Sequence, residues 1–228
     1  MDDVAGRCAE DVERLVEDVF GAILPSEGAF AVLMDLVERR IDAALVDRTG
    51  VRPACGPGCG ACCTLNVGTL AVEGAAVAAY LRRQLGAEGA EARARALLAF
   101  HDRVRWLDDG ERIREKLHCP FLDDARSCSI HPVRPLACRA ISSLDPAECR
   151  LALAGRSGDD GDGAAATTVR MDLLQLTVHE AALGAISRAL GARGLDARMR
   201  DVTGMAGAFL ADGQLAAAFG SGAALPLE

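Results

Sequence analysis

Cys55-Gly-Pro-Gly-Cys59-Gly-Ala-Cys62-Cys63 interrupts a chain that otherwise reads as helix after helix. Its four thiols stand in the spacing C-x3-C-x2-C-C. A second set follows at Cys119, Cys128, Cys138 and Cys149, and includes Cys128-Ser-Ile-His-Pro-Val-Arg134-Pro135-Leu-Ala-Cys138-Arg139. Thiols this close on Gly- and Pro-rich backbone suit a soft metal ion or an iron–sulfur cluster. Gly56, Gly58 and Gly60 let the backbone curl around sulfur, and Pro57 stiffens the turn.

Outward from this loop, the apolar spacing is helical. Val12, Leu15, Val16, Val19 and Ile23 share one face of an N-terminal helix. Cys8 lies on that face as a small buried residue, outside the metal set. Ser26 follows Pro25 as an N-cap, and Phe30, Leu33, Met34, Val37, Ile41 and Leu45 stripe a second helix, making an antiparallel pair with the first. Helix resumes near Thr69, carries Val77, Tyr80, Leu81 and Leu85, and stops at Gly86. Another runs from about Glu88 with Leu97, Phe100, Val104 and Leu107 on one face, and Asp108-Asp109-Gly110 breaks it. A short helix from Glu111 to Leu117 leads to Cys119. The stretch from Cys119 to Cys149 holds several prolines and reads as irregular backbone. Gly155–Gly163 reads as an exposed flexible loop. A helix from about Thr168 to Ala192 carries Leu173, Leu176, Leu183, Ile186 and Leu190, and the tail from Gly204 to Pro226 holds one or two short Ala-rich turns.

The expected architecture is therefore all-α: a single helical domain over 1–228, about six helices enclosing cysteine loops at 50–68 and 118–150. The composition agrees, with 50% apolar and 4% aromatic residues, a core of Ala, Leu and Val that favours packed helices.

The formal charge of −8 and the lack of a basic run exclude a phosphate-tracking nucleic-acid binder. No stretch approaches the ~18 apolar residues of a membrane span, and the acidic N-terminus is not a signal peptide. A cytoplasmic location follows as an expectation, and reduced thiols with it. The odd total of nine cysteines also speaks against a disulfide framework.

Adjacent Cys62 and Cys63 point their side chains apart, so one tetrahedral ion takes both only awkwardly. This leaves either a polynuclear cluster or two sites sharing the loop. The spacing differs from the ferredoxin run C-x2-C-x2-C-x3-C, and only Cys59 and Cys62 form the C-x2-C pair of a zinc ribbon.

Taken together, the C-x3-C-x2-C-C run, Cys119-Pro-Phe-Leu and Cys128-Ser-Ile-His-Pro-Val-Arg-Pro-Leu-Ala-Cys138-Arg resemble the YkgJ-type cysteine-cluster family of zinc- or iron-chelating domains. The likeness spans roughly Cys55 to Cys149. His131 departs from it, since family members often carry Tyr there. The resemblance implies a bacterial metal-chelating protein. A similar module occurs in flagellin lysine N-methylases, where an iron–sulfur cluster is implied, but no S-adenosylmethionine fingerprint is present here and methylation is not carried over.

The expected ligands are Cys55, Cys59, Cys62, Cys63, Cys119, Cys128, Cys138 and Cys149, with Cys149 the first candidate to stand outside the set. An iron–sulfur cluster of the 4Fe-4S type is the favoured cofactor, in a redox or a protein- or peptide-modifying role. The alternative is zinc in a structural or metal-handling module without catalysis. Arg134 and Arg139 match the family's R-P-x-x-C-R and either offset the charge of a thiolate centre or pair with Asp123, Asp124 or Asp145. Among the histidines, His118 and His131 neighbour the cysteines and read first as hydrogen-bonding or surface groups, with His131 the better of the two as a mixed-site ligand, while His101 and His179 read as core residues on helix faces. Metal ions are the expected partners, along with a protein or peptide. The Asp159, Asp160 and Asp162 group lacks the final Glu of a calcium loop and reads as solvated.

Overall fold

A computed structural model describes residues 2–22, 24–46, 52–157 and 168–226. Ile23, the first two residues of the 50–68 loop and the aspartates of the glycine loop lie outside the described residues. Of that glycine loop, Gly155 to Ser157 prolong a helix.

The fold is all-α. Helix α1 (Asp2–Ala22) is amphipathic and buries Cys8, Val12, Val16 and Val19. Helix α2 (Glu27–Leu45) starts where Ser26 accepts the Ala29 N–H at 3.1 Å, and buries Phe30, Leu33, Met34, Val37 and Ile41. The two helices pack on each other, α1 also on α7 (Leu173–Ala192) and α2 also on α3 (Ala71–Val104). Phe20, Phe30 and Phe219 join them through ring contacts of 5.6 and 5.8 Å.

Helix α3 is the central element. Every residue from Ala71 to Ala79 is buried, so this half has no polar face for a periodic pattern to reveal. The expected stop at Gly86 is a kink instead. Its φ of +67° breaks the helical geometry without ending the helix, a conformation that glycine adopts freely.

Several expectations need correction. Gly204 to Pro226 is not a tail of loose turns. It contains most of α8 (Val202–Ala211), buried from Val202 to Leu210, and then α9 (Leu215–Gly220). Helix α8 lies against α3 more extensively than any other pair of elements, because small residues let the backbones approach. A Cβ at Gly74 would fall on Met205, and one at Gly207 would stand 3.0 Å from Leu98. The preceding helix does end before Asp108-Asp109-Gly110, at Val104, but Asp109 and Gly110 already form the first turn of α4 (Asp109–Arg114). Asp108 caps Glu111 N–H at 2.7 Å, and Glu111 returns the bond to Asp108 N–H at 2.8 Å. In α7 the buried face runs through Val178, Ala182, Ala185, Ile186 and Leu190, and Leu173 is exposed.

The only sheet among the described residues is a two-residue antiparallel pair, β1 (Gly68–Thr69) with β2 (Arg200–Asp201), with Gly68 opposite Asp201. It fastens the end of the first cysteine loop to the start of α8. Asp201 caps α8 through the Thr203 N–H at 2.9 Å and the Thr203 hydroxyl, and pairs with Arg112 of α4 at 2.9 Å and His101 of α3 at 3.4 Å. His101 is thus a satisfied core residue, as expected. Among the described residues no helix is long and apolar enough to cross a membrane.

Candidate metal centre

The first loop docks before its thiols meet anything. Ala54 N–H donates to Ser143 O at 2.8 Å, and Ser143 N–H returns to Cys55 Sγ at 3.3 Å. A peptide N–H aimed at sulfur favours its thiolate. Cys59 N–H closes a turn onto Gly56 O at 3.0 Å, with Gly58 at φ +82°. Gly60 lies so close to Leu122 that a Cβ there would stand 2.8 Å from its methyl carbon. The two cysteine segments therefore touch at a glycine. Cys62 and Cys63 sit in the 3-10 turn Ala61–Thr64, and Cys119 N–H donates to Cys63 O at 2.6 Å.

The second segment is held from α3. Arg93 donates to Pro120 O at 2.6 Å and stacks over the buried Phe121 ring at 5.2 Å. Ser129 N–H reaches Phe121 O at 2.7 Å and Leu122 bridges Cys128, so Cys119 and Cys128 share one short hairpin. Beyond it the chain is not irregular, contrary to the sequence expectation. Cys138 lies on α5 (Leu136–Ala140) and Cys149 on α6 (Pro146–Ser157). Helix α5 is pinned by Glu73 of α3, whose carboxylate accepts Leu136 N–H at 2.7 Å, Leu70 N–H at 2.8 Å and the Thr69 hydroxyl at 3.1 Å. Helix α6 packs against the turn that carries Cys62 and Cys63.

All nine cysteines are free. Burial, a facing thiolate at Cys128 and Asp201 push Cys119 up to about 11, against a hydrogen bond from the Phe121 backbone and the Arg93 charge. Cys138 is raised by burial and by the Cys119, Cys62 and Cys128 thiolates, with Arg134 opposing. Cys62 is raised by its hydrogen bond with Cys63, then by burial, so these two neighbouring thiols meet and do not point apart as the sequence reading expects. Cys55 is raised by burial and by Cys59, Cys62 and Cys149. Burial is the leading cause for Cys119, Cys138 and Cys55, and the neighbouring sulfurs add to it with little positive charge among them. Cys62 belongs to both neighbourhoods, with Cys55 on one side and with Cys128 and Cys138 on the other. As they stand, no three Cys, His, Asp or Glu side chains among the described residues converge to metal-holding distance. The donor set fits a thiophilic metal by its chemistry, then, without being closed around one.

Residues 54–153 match the family model described as "Putative zinc- or iron-chelating domain", CxxCxxCC. The chain carries a CxxCxxCC domain. The match takes in all eight clustered cysteines with Arg134 and Arg139, leaves out Cys8, and supports metal binding by this chain. No curated protein and no solved structure was found to match the chain.

Within the CxxCxxCC domain the arginines differ from expectation. Arg139 pairs with Glu38 of α2 at 2.7 Å, and neither it nor Arg134 pairs with Asp123, Asp124 or Asp145 among the described residues. Burial raises Glu38 to about 7 even against Arg139. Arg134 bears on Cys62, Cys128 and Cys138. His118 and His131 are exposed. His179 is buried, its Nδ1 on Gln175 O at 2.7 Å, and burial, Arg139 and Arg134 hold it below the usual histidine range despite that bond. The sequence reading missed Glu73, Arg93 and Ser143. For Glu73 a signal existed: it is the only charged residue in Leu70–Tyr80, and a lone acid in an apolar run is buried and partnered.

Proposed function

We propose that the CxxCxxCC domain holds an iron–sulfur cluster of the 4Fe-4S type through thiolates drawn from Cys55, Cys59, Cys62, Cys63, Cys119, Cys128, Cys138 and Cys149. In this reading the helical frame and the cysteine segments act as one folded unit in a reducing cytoplasm, serving a redox or protein-modifying reaction. The observation that carries it is the crowding around Cys62, which lies within electrostatic range of Cys55, Cys63, Cys128 and Cys138. A tetrahedral ion takes four sulfurs, and the five here, Cys62 included, suit a polynuclear centre. A bound cluster supplies one-electron transfer at a potential tuned by nearby charge and hydrogen bonds.

The chain's own groups have definable roles beside it. Ser143 N–H orients Cys55, Arg93 fixes the Cys119 turn, Glu73 fixes the helix bearing Cys138, and Arg134 offsets thiolate charge. Binding and closure form one event, since thiols with raised pKa values become thiolates only as the metal displaces their protons and compensates their charge.

One observation favours a second reading, zinc. Cys55, Cys59 and Cys149 gather on one side while Cys119, Cys128 and Cys138 gather on the other. If the adjacent Cys62 and Cys63 divided between them, two four-thiolate sites would result. A serine series separates ligands from bystanders. Each of the eight cysteines changed to serine should lower bound metal, while Cys8→Ser, in the core, should leave it unchanged. Full metal retention in both Cys62→Ser and Cys138→Ser would defeat the proposal.

A further inference from the structure

Beside the cysteine module lies a cavity of about 350 Å³ lined by Asp42, Arg52, Arg134, Arg139, Gln175 and His179. Three guanidinium groups in one small cavity repel one another, so each needs a partner. Arg139 has its own: Glu38 at 2.7 Å, Arg134 O at 2.9 Å and Pro132 O at 3.0 Å. Arg134 does not. Among the described residues its Nε is buried without a hydrogen-bond partner, although buried guanidinium nitrogens are normally satisfied. Arg52 and Arg134 form no ion pair among the described residues. Glu38, raised to about 7, is only partly ionised at pH 7 and acts on Arg134 as well as Arg139, so among the described residues the three guanidinium groups are opposed by Asp42 in full and by Glu38 in part, while His179 is held below the usual histidine range.

Among the described residues the surplus lies between about one and two positive charges, which suits a singly or doubly charged group better than a polyphosphate. Guanidinium groups recognise carboxylate and phosphate by paired, charge-assisted hydrogen bonds. Gln175, also in the lining, donates its amide to Arg139 O at 2.6 Å. The His179 Nδ1 must donate to Gln175 O, which leaves its Nε2 as an acceptor.

We infer that this cavity binds the carboxylate or phosphate group of a small molecule through Arg52 and Arg134, next to the cysteine module. Arg134 lines the cavity and also bears on Cys62, Cys128 and Cys138, so a bound anion draws on the same charge that offsets the thiolates. The inference stands whichever metal the cysteines hold.

The test is calorimetric titration of metal-loaded protein at low ionic strength with inorganic phosphate and, separately, acetate, with chloride as control and metal content measured on every sample. One-site saturation by phosphate or by acetate is expected, and the tighter anion identifies the recognised group. Arg52→Ala should weaken it about tenfold, one charge-assisted hydrogen bond, and leave bound metal unchanged. Arg134→Lys, which keeps the charge but not the paired donors, should also weaken it. Absence of saturation below about 10 mM for both anions, equal binding of chloride, or undiminished binding in Arg52→Ala each overturns the inference. Metal retained without anion binding refutes the cavity alone, and metal lost with anion binding intact refutes only the cysteine assignment.

Discussion

Replacing Glu73 with alanine tests how the helical frame positions a cysteine. The carboxylate is fully enclosed and accepts Leu136 N–H at 2.7 Å, Leu70 N–H at 2.8 Å and the Thr69 hydroxyl at 3.1 Å. Truncation strands two peptide donors and one hydroxyl. A stranded buried donor costs about 1–3 kcal/mol, and the hydroxyl can turn elsewhere, so the two peptides set a gross cost of roughly 2–6 kcal/mol. Part is recovered, because burial pushes the Glu73 carboxyl up and its removal relieves that desolvation. We expect a net loss of about 2–4 kcal/mol. At a urea slope of about 2–3 kcal/mol/M the unfolding midpoint falls by roughly 1–2 M. Glu73→Gln, which keeps one acceptor oxygen, should fall between wild type and alanine. Leu136 begins the helix that carries Cys138, so bound metal should fall as well. Urea unfolding followed by circular dichroism, with metal analysis of the same samples, reads both effects. An alanine variant within about 0.5 kcal/mol of wild type that keeps its full metal would refute the anchoring role.

Asp201 carries an acid dependence. Burial raises its pKa, but hydrogen bonds from Thr203 and Arg112 and the Arg112 charge outweigh burial and hold it below 3.8. A depressed carboxyl contributes stability above its unfolded pKa and loses it as pH falls through the folded value. Wild type should therefore lose stability progressively below about pH 4, and Asp201→Asn should lack that component while being less stable at pH 7. Equal slopes for the two proteins under acid titration would contradict this. Gly74→Ala drives a methyl onto Met205 of α8 and should cost about 1–3 kcal/mol. Gly28→Ala, with only the Ser26 hydroxyl at 3.9 Å, should cost nothing. Similar unfolding midpoints for these two variants would show that α3 and α8 are not packed to that tolerance.

How much of this was legible follows from the physics of each segment. Helices with one dry face announce themselves, as Val12, Val16 and Val19 did, and as Phe30, Leu33 and Val37 did after Ser26. Helix α8, Val-Thr-Gly-Met-Ala-Gly-Ala-Phe-Leu-Ala, is dry all round and carries no charge. With no polar face to set a period, it read as loose turns. Helix α7 holds leucines on several faces: Ile186 and Leu190 of the expected stripe are buried, but Leu173, in the first turn, is exposed. The prolines between Cys119 and Cys149 suggested irregular backbone, yet Pro135 precedes α5 and Pro146 opens α6, positions where a missing N–H costs nothing. The cysteines as a set were plain in the sequence. Their grouping was not, because Cys55 meets Ser143 across 88 residues and Cys149 returns on a helix packed against the Cys62 turn.

The central claim concerns what those thiols hold, and one measurement addresses it: iron, acid-labile sulfide and zinc assayed on anaerobically purified protein, with its visible spectrum. We expect brown protein with iron and sulfide in comparable amounts, bleaching in air. Colourless protein holding zinc, with no sulfide, would contradict the iron–sulfur assignment.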